Sequence, residues 1–295
     1  MSDTLTGVAV VGSANVDLVV EVSRPPLVGE TLLGSAGGRF AGGKGLNQAV
    51  ASARSGVPTR FCAVVGRDDG AELLQQTLTD AAVRAVLRRS ADAPTGVAHV
   101  LALDGGDNSI IVAAGANAEL DVSDAAAGVE GAAVVLVQLE IPAAAVAAAL
   151  SAGRAAGART LLNAAPAQET AIDMLDDVDV LIVNETECEE LGGVDRLRAA
   201  GAGAVVLTRG AAGVTLHRSG QAALDIGAFR IDPVDTTGAG DAFCGALAAA
   251  LAAGERIEDA LVRACAAGAI VSQHRGATTA ALSPASIAAL IASRR

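Results

Sequence analysis

Short runs of β-branched and other apolar residues alternate along this chain with longer segments rich in Ala and Leu. That rhythm is expected of an α/β fold, with a central, mostly parallel sheet flanked by helices. Val8–Val11 and Arg60–Val65 read as strands, and Val134–Val137, Thr160–Leu162, Val180–Val183 and Val205–Thr208 continue the series. Helices are expected over Gly45–Ser55, Ala71–Thr79, Ala143–Ala156, Glu185–Leu191, Ala239–Ala253 and Glu258–Ser272. Two segments break the rhythm. Asp17–Arg39 alternates around Pro25, Pro26 and several glycines, and Thr95–Val112 alternates around the turn-like Asp104-Gly105-Gly106-Asp107. Both read as antiparallel strands outside the parallel core, and paired with each other they would make a small β-sheet lid. The expected organisation is a core of residues 1–16, 40–94 and 113–295, with residues 17–39 and 95–112 as the lid.

Composition narrows the class further. Of the 295 residues, 52% are hydrophobic, enough for one large core. The mean hydropathy is +0.46, but the stretches Ala143–Leu150 and Ala246–Ala253 are too short to span a bilayer. The N-terminus carries Asp3, no basic run and only a short apolar segment, so a cytoplasmic protein without a secretory signal is expected. A net charge of −12 and the absence of Trp and Tyr argue against a nucleic-acid partner. Cys62, Cys188, Cys244 and Cys265 are widely spaced, which predicts reduced thiols and not metal ligands.

The chemistry concentrates in Asp235-Thr236-Thr237-Gly238-Ala239-Gly240-Asp241 and the Ala-rich helix that follows. Gly238 and Gly240 let the backbone approach a ligand closely. The helix start offers unpaired N–H groups and the positive end of its dipole to an anion. Asp241, in the first turn, can accept a proton from an attacking hydroxyl, or can simply cap the helix. Gly42-Gly43-Lys44-Gly45 lacks the spacing of a Walker loop, and taken alone it could be an ordinary helix start. Glu140 directly follows an apolar strand, where a carboxylate needs a partner such as Lys44 or a ligand hydroxyl.

Asp235–Asp241 with Ala242-Phe243 resembles the C-terminal signature of the ribokinase-like (PfkB) carbohydrate kinases. Ala41–Ala51 through Arg54-Ser55-Gly56 resembles the N-terminal one. Gly12–Asp17, Gln138-Leu139-Glu140, Asn163–Ala167 and Asn184–Glu187 match the family in the same order, so the resemblance covers nearly the whole chain. It implies ATP-dependent phosphorylation of the 5-hydroxymethyl of ribose, with Asp241 as general base and Gly238, Ala239 and Gly240 as anion hole. On the sugar side it implies Asn15, Asp17, Gly43, Lys44, Gly45, Asn47 and Glu140. On the nucleotide side it implies Asn184, Thr208, Arg209, Gly210, Ala211, Ala212, Gly213 and Gly240, with Cys265 standing where the family often has a polar residue near adenine. Glu187 would serve Mg²⁺ through water. Asp235, Thr237, Val271, His274, Gly276 and Ala280 would surround an activating K⁺, although Ala280 stands where the family often has Ser. A homodimer through the lid is expected, with sugar and ATP as the small-molecule partners. Rival readings are a kinase of the same fold for a nucleoside, deoxyribose or hexose, and a non-catalytic sugar- or nucleotide-binding regulator. A dinucleotide-dependent oxidoreductase is disfavoured because the Gly-x-Gly-x-x-Gly turn is missing after the first strand.

Overall fold

The computed structural model describes residues 6–103 and 108–294, so Asp3 and the Asp104–Asp107 turn lie outside the described residues. In chain order the first elements are β1 (Val8–Val11), β2 (Asn15–Val22), β3 (Ser35–Gly42), α1 (Lys44–Arg54), β4 (Thr59–Val65) and α2 (Asp69–Asp80). Next come β5 (Arg84–Arg89), β6 (Gly96–Leu103), β7 (Asn108–Ala113), α3 (Val122–Gly128), β8 (Val134–Gln138) and α4 (Ala143–Ala155). The chain continues with β9 (Arg159–Asn163), β10 (Val180–Asn184), α5 (Glu185–Glu190), α6 (Gly193–Ala199), β11 (Ala204–Thr208), β12 (Val214–Arg218) and β13 (Leu224–Ile226). It closes with α7 (Ala239–Ala252), α8 (Ile257–Ser272) and α9 (Pro284–Ser293).

Among the described residues the main sheet has nine strands, in the order β13-β12-β11-β10-β9-β8-β1-β4-β5. Strands β5 through β11 in that row are parallel, while β12 and β13 close one edge antiparallel. From β1 the chain moves outward to β4 and β5, then returns to β8 and moves the other way. The β1/β8 boundary is therefore the switch point where open α/β sheets leave a crevice beyond their strand ends.

Residues alternate between the two faces of each core strand. Val8, Val10, Phe61, Leu136 and Ile182 pack with α1, α2, α7 and α8. Val11, Val64, Val137, Leu162 and Val183 pack against α3, α4, α5 and α6. This burial on both faces explains the continuous apolar runs in the sequence. Helices α1 and α7 approach closely at Gly245, where a Cβ would lie 2.4 Å from the Gln48 carbonyl oxygen and 2.7 Å from Ala51 Cβ. No helix among the described residues is long and apolar enough to cross a membrane.

The two alternating segments form a second sheet of order β3-β2-β6-β7. As expected, the two segments pair with each other. β2–β3 and β6–β7 are antiparallel hairpin neighbours, but the central pair β2–β6 is parallel. The reason is connectivity: β2 leads through β3, α1, β4, α2 and β5 before β6, a crossover long enough to return in the same direction.

Candidate active site

The site lies where β1, β8, β9, β10 and β11 end and where α1 and α7 begin. After β1 the chain turns through Gly12–Ala14, and a Cβ at Gly12 would stand 2.0 Å from Gln138 Oε1. Asn15, at the start of β2, is buried and has its carboxamide oxygen taken by Asn117 Nδ2 at 2.7 Å. Asn117 Oδ1 in turn accepts from the Ala14 N–H at 2.9 Å, so the Asn15 NH₂ group is left as the available donor. The Asp17 carboxylate rests on Gly42, where a Cβ would lie 2.2 to 2.4 Å from its atoms. Its Oδ1 is buried without a partner. Burial, and then the nearby Glu140 and Asp241 carboxylates, push the Asp17 carboxyl up to about 7.

Gly43 starts α1 with φ of 89°, a conformation suited to glycine, and a Cβ there would lie 2.9 to 3.0 Å from the Ser13–Asn15 backbone. Glu140 is drawn to the same corner, its Oε2 accepting from Ser13 Oγ at 2.5 Å and from the Lys44 N–H at 3.1 Å. A Cβ at Gly45 would meet the Gly12–Ser13 backbone at 2.7 Å, which is why the turn and the helix can touch.

Asp241 occupies the first turn of α7, entered through Gly238 with φ of 75°. Asn47 Nδ2 donates to Asp241 Oδ2 at 3.0 Å, and Gln48 Nε2 donates to Oδ1 at 2.9 Å. Burial raises the Asp241 carboxyl, opposed by the Lys44 ammonium and by these two amides; the net direction is upward. Burial would discharge Lys44, but the carboxylates of Asp241, Glu140 and Glu187 outweigh it and hold the ammonium charged. Gly240 is exposed, and a Cβ there would meet nothing within 4 Å, so the start of α7 opens onto free space. That space is a cavity of about 170 Å³ lined by Lys44, Asn184, Glu187, Thr208, Gly238, Gly240 and Asp241, with Asn163 and Cys244 behind them.

Asn184 and Glu187 cap α5 reciprocally, Glu187 N–H to Asn184 Oδ1 at 2.8 Å and Asn184 N–H to Glu187 Oε2 at 2.9 Å. Burial raises the Glu187 carboxyl. Arg209–Gly213 forms the turn between β11 and β12, and of this segment only Thr208 before it borders the cavity. Arg209 turns away to pair with Asp225 Oδ1 at 2.8 Å. Cys265 lies on α8 against the apolar core, its thiol pushed up to about 11 by burial.

Asp235 gathers part of the expected cation set. Its Oδ1 accepts from the Thr237 N–H at 2.9 Å and its Oδ2 from the Gly276 N–H at 2.8 Å. Burial would raise this carboxyl, but those donors outweigh it and hold it below the usual range. The Val271 carbonyl accepts from the His274 N–H at 3.0 Å, and His274 Nδ1 lies 2.9 Å from the Ile270 oxygen. Ala280 is exposed. Among the described residues no cluster of three His, Cys, Asp or Glu side chains could hold a metal alone.

Four residues joined to this site were not assigned roles from sequence. Ser13, Gln48 and Asn163 lie inside the recognised motifs, so their position was a usable signal. Asn117 falls in no motif, and only the fold brings it to Asn15.

The chain matches the family model described as pfkB family carbohydrate kinase over residues 5–284. It is 33% identical over 293 residues to a ribokinase of Haemophilus influenzae, covering 94% of each chain. A ribokinase of Arabidopsis thaliana is 35% identical over 292 residues, with 91% of this chain and 76% of that one covered. The solved structure of Arabidopsis thaliana ribokinase complexed with ribose and ATP superposes with a TM-score of 0.85 at 32% identity, covering 97% of this chain and 98% of that one. A ribokinase of Thermotoga maritima superposes at 0.86 with 30% identity, covering 97% and 99%.

Proposed function

The chain belongs to the pfkB family of carbohydrate kinases, and from that premise we propose that it transfers the γ-phosphoryl group of ATP to the 5-hydroxymethyl of ribose. The observation that carries this reading is Asp241: a half-buried carboxylate held by an amide on each oxygen, beside the Lys44 ammonium, at the mouth of an open helix start. The sugar lies between Asn15, Asp17, Gly43 to Asn47 and Glu140. A furanose hydroxyl both donates and accepts, which suits the free Asn15 NH₂ and the unpartnered Asp17 Oδ1. ATP extends from the Gly238–Gly240 turn past Thr208 toward the Arg209–Gly213 turn and Cys265. Asp241 takes the proton of the hydroxymethyl group as its oxygen attacks in line, and the N–H groups of Gly238, Ala239 and Gly240 receive the charge gathering on the phosphoryl oxygens.

The donor set suits Mg²⁺ held mainly by phosphates and water, because Glu187 and Asp241 line the cavity without forming, among the described residues, a protein cage of three metal-binding side chains. When bound, Mg²⁺ neutralises phosphate charge, with Glu187 reaching it through water. Asp235, Thr237 and Gly276 are already tied together, which supports a K⁺ site beside the helix start, completed by carbonyls of Val271, His274 and Ala280. The second sheet (β2, β3, β6 and β7) acts as a lid over the sugar, and its exposed Phe40, Ile110 and Ile111 suit pairing with the same sheet of a second copy. Four free cysteines fit a reducing cytoplasm.

The test is an ADP-release assay with ATP and Mg²⁺ over ribose, deoxyribose, fructose and nucleosides, with and without K⁺. Turnover highest on ribose and raised by K⁺ is expected. Preference for another sugar would move the substrate assignment, and no turnover on any would overturn the kinase reading for this chain.

A further inference from the structure

Gln48 is a fully buried polar residue in the middle of α1, among buried neighbours from Gly45 to Ser52. A carboxamide there must satisfy itself inside the protein. It does so completely. Its Nε2 donates to Asp241 Oδ1 at 2.9 Å and to Asn163 Oδ1 at 3.0 Å, and its Oε1 accepts from Gln138 Nε2 at 2.6 Å.

The direction of these bonds is dictated from one end. The Ile182 carbonyl on β10 can only accept, so Asn163 must present Nδ2 to it, at 3.3 Å. Asn163 Oδ1 then faces α1 and requires a donor, which places Gln48 Nε2 on that side. The second N–H of the same nitrogen is left aimed at Asp241, and the oxygen is left aimed at Gln138. Turning the Gln48 amide over would set its oxygen against two acceptors. A backbone carbonyl thus forces a donor onto the carboxylate across β9 and α1.

We infer that Gln48 is a positioning residue for the phosphoryl transfer proposed above: through the relay from Ile182 and Asn163 it fixes the plane of the Asp241 carboxylate and keeps it ready to accept a proton. The inference rests on the reading of Asp241 as base. Gln48 lies behind the carboxylate and acts only through it. The other groups facing Asp241 are Asn47 and Lys44 from α1, Asp17 from β2, Glu140 beyond β8 and Cys244 from α7 itself. All of them remain when Gln48 is changed.

The test compares wild type with Gln48→Met, which keeps the length of the side chain, and Gln48→Glu, which keeps its shape but loses the donor. Thermal melts first establish that each is folded. For Gln48→Met, kcat falls about tenfold and the acid limb of its pH profile moves up by about one pH unit, the scale of one charge-assisted hydrogen bond. The KM values for ribose and ATP stay within about twofold of wild type. Gln48→Glu moves the same limb further. Introduced beside Asp241→Asn, Gln48→Met causes no additional loss. A folded Gln48→Met with wild-type kcat and acid limb overturns the inference and leaves Asp241 untouched. If neither Gln48 variant folds, Asn163→Ala must show the same limb shift in smaller measure, and an unmoved limb overturns the relay. A wild type inert on every sugar would instead sink the kinase reading, and this inference with it, before any variant is compared.

Discussion

Replacing Asp17 by Asn should stabilise the ligand-free protein above neutral pH while weakening its hold on sugar. The native carboxyl titrates at about 7, against 3.8 for an ordinary Asp. The folded chain therefore keeps this proton over a pH range in which the unfolded chain has already lost it. Stability contributed by the group is full below pH 3.8 and falls as pH rises toward 7, at about 1.4 kcal/mol per pH unit. From near pH 5 to beyond pH 7 the loss has a ceiling of about 3 kcal/mol, lowered by whatever water and the Glu140 and Asp241 carboxylates absorb as they titrate together. The Asp17→Asn variant has no such slope. At roughly 2 °C per kcal/mol for a chain of this size, the melting temperatures of variant and wild type should diverge by about 5 °C over that range. The assay is a melting series from about pH 5 to 8 on both proteins without ligand. Saturating ribose should narrow the gap by donating a hydroxyl to Oδ1, and the ribose KM of Asp17→Asn should rise far more than its ATP KM. Melting curves that stay parallel across pH would refute the account of a carboxylate held in readiness for a ligand.

Asp241→Asn should lower kcat by at least about a hundredfold with the ATP KM little changed, and a near-normal kcat in steady-state assays would remove the base assignment. Gly245→Ala places a Cβ 2.4 Å from the Gln48 carbonyl and should cost about 1–3 kcal/mol in denaturant unfolding; an unmoved midpoint would contradict the close helix contact. Gly240→Ala meets nothing within 4 Å, so the fold should hold or gain up to about 1 kcal/mol of helix propensity while the ATP KM rises. An unaltered ATP KM there would argue that the phosphates lie elsewhere.

The parallel core was readable because strands buried on both faces are plain runs of Val, Leu and Ile, as in β1, β8 and β10. β5 escaped because Arg84, Arg88 and Arg89 punctuate it, as suits an edge strand. The second sheet was visible as alternation, but alternation is the same for parallel and antiparallel neighbours, so the direction of β6 against β2 was not. Ligand-facing residues such as Asn15, Lys44 and Asp241 announce themselves by type and by the glycines around them. Asn117 does not, because a buried amide outside every motif serves another side chain whose position only the tertiary structure reveals.

The bonds from Asn47 and Gln48 to Asp241 join positions 194 and 193 residues apart in the chain. During synthesis α1 therefore emerges long before α7 exists, and its inward amides have no carboxylate to meet. Contacts of such separation form late, after the costly loop has closed. The base and the groups that orient it can come together only when α7 docks on α1. Activity in this architecture marks the completion of folding: a nascent or truncated chain that stops short of α7 has no base, and one face of its sheet is left without the helices that cover it.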